Sequence, residues 1–282
     1  SINNALTWNQ ANGALEADHF RNIAVDPNDI TAVYAGGIFM PKLDSSGTLV
    51  SANGGIYKSV DSGVTWSTVR AIAIDEFSSA GGASQTLLVG GSGQFESDGS
   101  GGFTKLAARI YQSIDAGANW TASDAGIGGA EIGASGNRLF ASVVQILQDP
   151  TDVSGNTFYA ATFLNGRRQS DVPTSIENGV FKTIDGGATW SNVSNGLPHI
   201  NGDPAAANES VLSLALDPTD PTGQTLYAST NDVGNSQVGT VYKTTDGGAN
   251  WSFSGSGLSG RDVRDLAVDP LTGHVYPAVA DP

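Results

Sequence analysis

The stretch VYKTTDGGANW, Val241 to Trp251, decides the fold. Three other segments lie over it: IYKSVDSGVTW at 56–66, IYQSIDAGANW at 110–120 and VFKTIDGGATW at 180–190. Each runs aromatic, [KQ]-[ST]-x-D-x-G-x-[TN]-W. The physics of such a box is local. A Ser or Thr (Ser59, Ser113, Thr183, Thr244) and an Asp two residues on (Asp61, Asp115, Asp185, Asp246) supply oxygens that accept hydrogen bonds from turn amides. Gly63, Gly117, Gly187 and Gly248 stand where a backbone with positive φ closes a hairpin. Trp66, Trp120, Trp190 and Trp251 are each large enough to cover the turn and fill the space between neighbouring units.

Working outward, a second unit precedes most boxes: NIAVDPND…VYAGG (22–37), VVQILQDPTD…FYAAT (143–162), SLALDPTD…LYAST (213–230) and DLAVDPLT…VYPAV (265–279), with AIAIDEF…LLVGG (71–91) a looser copy. The D-P pair suits a type I turn, with Asp as the capping acceptor. The lone ALTWN at 5–9 reads as the last strand of a further copy. Repeat units thus end at Trp8, Trp66, Trp120, Trp190 and Trp251, and the last unit is incomplete. Each unit holds four short strands: A (IAVDP), B (VYAGG), C (GIYKSVD) and D (TWSTV). Four strands per period, repeated radially, build a propeller blade, and the rungs of a parallel β-helix are much shorter than these periods. The expectation is an all-β propeller of four-stranded blades, about five repeats, forming one domain over residues 1–282. It is either a closed five-bladed ring, with 1–10 joining 264–282, or a fragment of a larger propeller.

The box S-x-D-x-G-x-T-W resembles the Asp-box, or BNR, repeat of sialidases, family 74 glycoside hydrolases (xyloglucanases), sortilin-type receptors and photosystem assembly factors. The combined pattern DP-T-D…LYA-S-T…G-x-[VI]-[YF]-K-[ST]-x-D-G-G-A-x-W is most similar to the family 74 type. The resemblance spans nearly the whole chain. It implies the propeller fold; these families share the blade and not the chemistry.

Composition agrees with a turn-rich, helix-poor chain. Glycine is 37 of 282 residues, and aspartate outnumbers glutamate 22 to 6. With 28 acidic and 13 basic residues the formal net charge is −15, which argues against nucleic acid and against an anionic membrane face. There is no cysteine, hence no disulfide or thiolate metal site. No apolar run nears the ~18 residues that cross a bilayer, so no membrane insertion is expected. The expected setting is secreted, extracellular or periplasmic.

Strand order separates the loops. The A–B turns and the boxes share one face and read as scaffold. The other face receives the long, dissimilar B–C loops 36–55, 91–109, 161–179 and 229–240, with D–A loops such as 121–142 and 191–210. Binding candidates there are Glu96, Arg167, Arg168, Asp171, Glu177, Asn231 and Asp232, beside Lys42, Asp44, Asp98, His199 and Asp203. Phe39, Phe95, Phe103 and Phe163 are the aromatic platforms, and all five Trp sit in strand D.

A glycosidase needs two carboxylates flanking the scissile bond. Family 74 enzymes carry one such Asp after a motif resembling Y-A-R-T-D. The nearest match is Tyr227-Ala228-Ser229-Thr230-Asn231-Asp232, where Asn holds the motif position and Asp232, the catalytic candidate, comes one residue late. A sialidase needs three converging arginines and a Tyr–Glu pair, and no such pair can be placed. His19, His199 and His274 are isolated, so no metal site is expected and no cofactor; calcium at the D-P-x-D turns or at Asp98 is the one alternative. The expected function is a non-catalytic extracellular binding or scaffolding propeller that presents its long loops to a glycan or protein partner. Self-assembly or a neighbouring propeller domain is the further partner, and an assembly role predicts an exposed strand edge at the last unit. The alternative is a secreted glycoside hydrolase resembling xyloglucanases and acting on β-linked polysaccharide.

Overall fold

The computed structural model describes residues 20–26, 29–37, 42–43, 49–51, 55–59, 67–69, 86–90, 95–97, 103–105, 110–115, 119–127, 130–132, 138–165, 177–200, 203–204, 208–230, 241–258 and 262–280. The chain divides into two compact units, residues 1–89 with 113–120, and residues 90–112 with 121–282.

In the first unit, β1 (Phe20–Asp26), β2 (Asp29–Gly37), β5 (Gly55–Ser59) and β6 (Ser67–Val69) form one antiparallel sheet in that order. They are strands A to D of the repeat. Between β2 and β5, the expected loop carries a short hairpin, β3 (Lys42–Leu43) with β4 (Leu49–Ser51). Farther along is β7 (Leu87–Gly90), whose Leu87 and Leu88 are buried.

In the second unit, loop 91–109 also holds a hairpin, β8 (Phe95–Ser97) with β9 (Phe103–Lys105). β10 (Ile110–Ser113) pairs with β11 (Thr121–Ala122), Tyr111 opposite Ala122. Next come β12 (Ala130–Ile132), β13 (Arg138–Gln148), β14 (Phe158–Asn165), β15 (Val180–Thr183) and β16 (Ser191–Asn192), then β17 (Val211–Leu216), β18 (Leu226–Thr230), β19 (Val241–Thr244) and β20 (Ser252–Phe253), and last β21 (Asp262–Val268) with β22 (Val275–Ala280). The sheets run in chain order, β12 to β16, β17 to β20, and β21 with β22. The first of these has five strands where four were expected. β13 is 11 residues long, and its early part offers a free edge on which Ala130–Ile132 folds back beyond the turn-forming sequence GASGN.

Three strands A of the second unit carry a bulge: the register shifts between Val143 and Gln145, Val211 and Ser213, and Val263 and Asp265. The extra residue re-aims the side chains beyond it. Gln145 Nε2 donates to the Leu214 carbonyl at 3.0 Å while the Leu214 N–H donates to Gln145 Oε1 at 2.7 Å. Ser213 repeats the clasp one sheet on, where its Oγ accepts from the Leu266 N–H and donates to Asp265.

Between the clasps and the outer edges, the sheets bury their apolar faces against each other. Tyr159, Ala161, Val180 and Leu197 meet Val211, Leu214, Leu226, Ala228, Tyr242 and Trp251 of the next sheet. Ala215, Tyr227 and Val241 then meet Val263 and Leu266. Full burial of one such aliphatic side chain stabilises by ~1.5–3 kcal/mol, so this stacking is the main term.

Candidate functional site

In the described boxes, short-range side-chain bonds hold the turns. In the box 180–190, Thr183 Oγ1 donates to Asp185 Oδ1 and accepts from the N–H groups of Asp185 and Gly187. The Thr189 N–H and hydroxyl both donate to the Asp185 carboxylate. Box 241–251 repeats this with Thr244, Asp246, Gly248 and Asn250. In box 110–120, Ser113 donates to Asp115, which accepts from Asn119. Gly187 and Gly248 have φ of 101° and 94°. Asp61, Gly63, Trp66, Gly117 and Trp8 lie outside the described residues, and Ser59 is placed only as the end of β5.

The D-P turns are Asx turns of the same kind. Asp149 and Asp217 each accept from the N–H and hydroxyl of a Thr two residues on. Asp152 and Asp220 do so with Ser154 and Thr222, and also accept from Thr157 and Thr225. These bonds stabilise the anion. The Ser154 hydroxyl, ahead of Thr157, holds Asp152 down at about 2, and the Thr189 hydroxyl does the same for Asp185. The Thr244 hydroxyl leads at Asp246, also about 2. Asp220 is lowered chiefly by Thr222 and Asp269 chiefly by the Leu271 N–H. A general acid needs the opposite shift, so these five carboxylates are turn formers.

On the opposite face, at the bases of loops 161–179 and 191–210, lies a buried polar clamp. Thr162 and Asn178 are both fully buried. The Thr162 hydroxyl donates to Asn178 Oδ1 at 2.7 Å and accepts from the Gly179 N–H at 2.9 Å. Asn178 Nδ2 donates to the Asn208 carbonyl at 3.1 Å. Ser210 Oγ accepts from the Leu164 N–H, Asn208 Nδ2 donates to the Leu197 carbonyl, and Ser194 Oγ accepts from the Val180 N–H. Glu209 is buried in the same stretch, and its N–H donates to the Pro198 carbonyl. Satisfied buried polar networks rigidify what they hold. The clamp therefore fixes the stems of two long loops.

One sheet further, the corresponding strand end lacks these partners. Ser229 Oγ and Thr230 Oγ1 are buried without a hydrogen bond. Gly255 takes the place of Ser194 there, and in the sequence a glycine stands two residues before Val241 where Asn178 stands two before Val180, so neither the amide nor the hydroxyl of the clamp recurs.

Of the residues singled out from sequence, Glu177 is exposed beside Asn178 at the clamp, and His199 pairs with Asn208 through a backbone bridge. Asp203 is exposed, with its N–H on the Ile200 carbonyl. Glu96 sits in the β8–β9 hairpin opposite Thr104, and Lys42 begins β3. Arg167, Arg168, Asp171, Asn231, Asp232, Asp44 and Asp98 lie outside the described residues. Among the described residues no three His, Asp or Glu side chains gather as a metal site. Sequence reasoning missed Thr162, Asn178, Asn208 and Ser210. The one local signal was Thr162 recurring as Thr230 at the end of strand B.

No protein-family model matches the sequence, and no curated protein does. Solved structures are similar in fold. The family 74 glycoside hydrolase of Niastella koreensis shares 21% identity at a TM-score of 0.55, over 89% of this chain and 33% of its own. The family 74 xyloglucanase of Xanthomonas campestris shares 18% at 0.56, over 92% and 35%. An ancestral family 74 enzyme shares 18% at 0.56, over 94% and 28%. The chain spans about a third of the length of these relatives. The likeness shows the fold, an all-β propeller like that of the family 74 enzymes.

Proposed function

We propose that this chain is a non-catalytic, extracytoplasmic binding or scaffolding propeller whose long-loop face receives a glycan or protein partner. The observation that supports it is the Thr162–Asn178–Ser210 clamp, which makes two loop stems rigid with neutral donors and acceptors. Rigid stems lower the ordering cost of any ligand the loops take. Asp-box blades over residues 1–282 form one propeller in this reading, five-bladed and closed or part of a larger ring. Arg167, Arg168, Asp171, Glu177, Glu96, Asn231 and Asp232 are its binding groups, with no metal or other cofactor, calcium being the exception to test. Calorimetric titration with soluble polysaccharides tests it: heat of binding without product supports the reading.

The second reading is a hydrolase of β-linked polysaccharide, favoured by the likeness in fold to a xyloglucanase. Reducing-end release from xyloglucan, mixed-linkage glucan, cellulose or arabinan separates the two. Release abolished by Asp232→Ala assigns the chemistry to that carboxylate, and release that survives it places the carboxylates elsewhere on the loop face.

A further inference from the structure

Tyr159 is the largest fully buried side chain among the described residues, yet its hydroxyl has no hydrogen-bond partner there. A buried polar group without a partner is costly, so its surroundings matter. Tyr159 stands opposite Leu147 in the β13–β14 ladder. Asp149 is two residues beyond Leu147, and its N–H continues the ladder to the Thr157 carbonyl at 2.9 Å. Residues two apart along a strand share a face, so Asp149 and Tyr159 are diagonal neighbours on the face that packs against β17 and β18. Asp149 is itself buried. Its Oδ1 accepts from the Thr151 N–H at 2.9 Å and from the Thr151 hydroxyl at 2.7 Å, which leaves Oδ2 for a further donor.

The next sheet closes over this pair. Leu226 belongs to the apolar cluster around Tyr159. Three residues before it, Gly223 has φ of 64° and lies against the carboxylate: a Cβ there would meet Asp149 Oδ1 at 2.4 Å and Oδ2 at 2.9 Å. Lys182 Nζ lies 5.0 Å from the Tyr159 ring centre. Burial first, and the Asp149 charge second, push the phenol well above its ordinary value, so it stays a neutral O–H that can donate. The phenol does not bond to the carboxylate directly. A cation between them would face the Lys182 ammonium, and an apolar guest would answer neither oxygen. A water supplies both the acceptor that the phenol needs and the donor that Oδ2 needs.

We propose that a single structural water is bound between the β13–β16 and β17–β20 sheets, accepting from the Tyr159 hydroxyl and donating to Asp149 Oδ2. It lets a charged Asx turn be buried under Gly223, and it makes Tyr159 and Asp149 one hydrogen-bonded unit. The proposal is independent of any ligand on the long-loop face.

High-resolution crystal structures of the chain and of its Tyr159→Phe variant test it. The expected result is a fully occupied peak about 2.6–3.2 Å from both Tyr159 Oη and Asp149 Oδ2, weakened or lost in the variant. Phe keeps the ring in place and removes the hydroxyl alone, so the variant folds. In thermal melts Tyr159→Phe should lower the midpoint by at least about 2 °C. That loss should shrink by at least about half in an Asp149→Asn background, because the two residues share the water. Absence of a peak overturns the proposal, as does a Tyr159 hydroxyl found bonded to Asp149 itself. A peak with several oxygens nearer than about 2.5 Å would be a cation, and overturns it too. So does a Tyr159→Phe variant that melts at or above the parent temperature, which is how a hydroxyl bonded to nothing behaves.

Discussion

The indole N–H of Trp251 donates to the main-chain carbonyl of Val193, 2.7 Å away and 58 residues earlier in the chain. Its own backbone N–H reaches the Asn195 carbonyl at 2.8 Å. Trp190 repeats both bonds one sheet earlier, to Ser123 and Ala125. The last residue of each of these boxes is therefore a stitch to the end of strand D in the preceding unit. Trp251→Phe keeps most of the apolar volume and strands a carbonyl, so it should cost ~1–3 kcal/mol. Trp251→Ala adds a cavity and should cost ~3–5 kcal/mol. Urea unfolding followed by circular dichroism reads both losses, and a Trp251→Phe variant as stable as the parent would mean that the indole bond contributes nothing.

Gly196 and Gly257 follow strand D at equivalent places with φ of 90° and 88°. A Cβ on Gly196 would lie 2.2 Å from the Trp251 carbonyl oxygen, whereas on Gly257 it would meet nothing within 4 Å. Both changes to Ala carry the strain of a left-handed backbone, ~1–2 kcal/mol. Gly196→Ala alone must also displace the Trp251 backbone. It should lower the melting temperature by at least about twice as much as Gly257→Ala.

Thr162→Val and Thr230→Val remove the same hydroxyl from equivalent buried sites. Thr162 has partners in Asn178 and Gly179, and Thr230 has none. The first change leaves the Gly179 N–H unanswered and should cost ~1–3 kcal/mol. The second removes a buried polar group that has no bond, so it should be neutral or stabilising. A Thr230→Val variant as damaged as Thr162→Val would show that its hydroxyl is bonded in solution.

Acid should destabilise the scaffold turns. Asp152, Asp185 and Asp246 are held at about 2 against an ordinary value of 3.8. A carboxylate lowered in the folded state contributes stability above its unfolded pKa, and loses it as pH falls through the folded one. Thermal melts should be insensitive to these groups above about pH 5 and fall between about pH 4 and 2. Asp185→Asn and Asp246→Asn should each make that fall shallower; the same slope in both variants would assign the acid lability elsewhere.

Much of this scaffold was legible in the chain because its bonds are short-range. Thr183 to Asp185, Asp185 to Thr189 and Asp217 to Thr219 span two to four residues, so residue type and spacing fix them. The strands came from alternation and β-branching in the same way. The hairpins in loops 36–55 and 91–109 escaped because strands of two and three residues carry no period to read. The extra strand β12 escaped because its partner edge exists only once β13 has run on to 11 residues.

At the candidate site the balance reverses. Thr162 and Asn178 are 16 residues apart and Leu164 and Ser210 46 apart, joined through loops of dissimilar sequence. Nothing in either segment announces the other. The Gln145 clasp on Leu214 is longer still, at 69 residues, and depends on a bulge that no residue type encodes.

The sequence by itself determined the repeat, the strands and the turn chemistry, because a box or a D-P turn satisfies its own backbone within a few residues. Only the tertiary structure decided which sheet face each side chain covers and which buried hydroxyls find partners. Those outcomes arise from register and from contacts between units some 50 to 70 residues apart, where burial and geometry rather than local preference set the free energy.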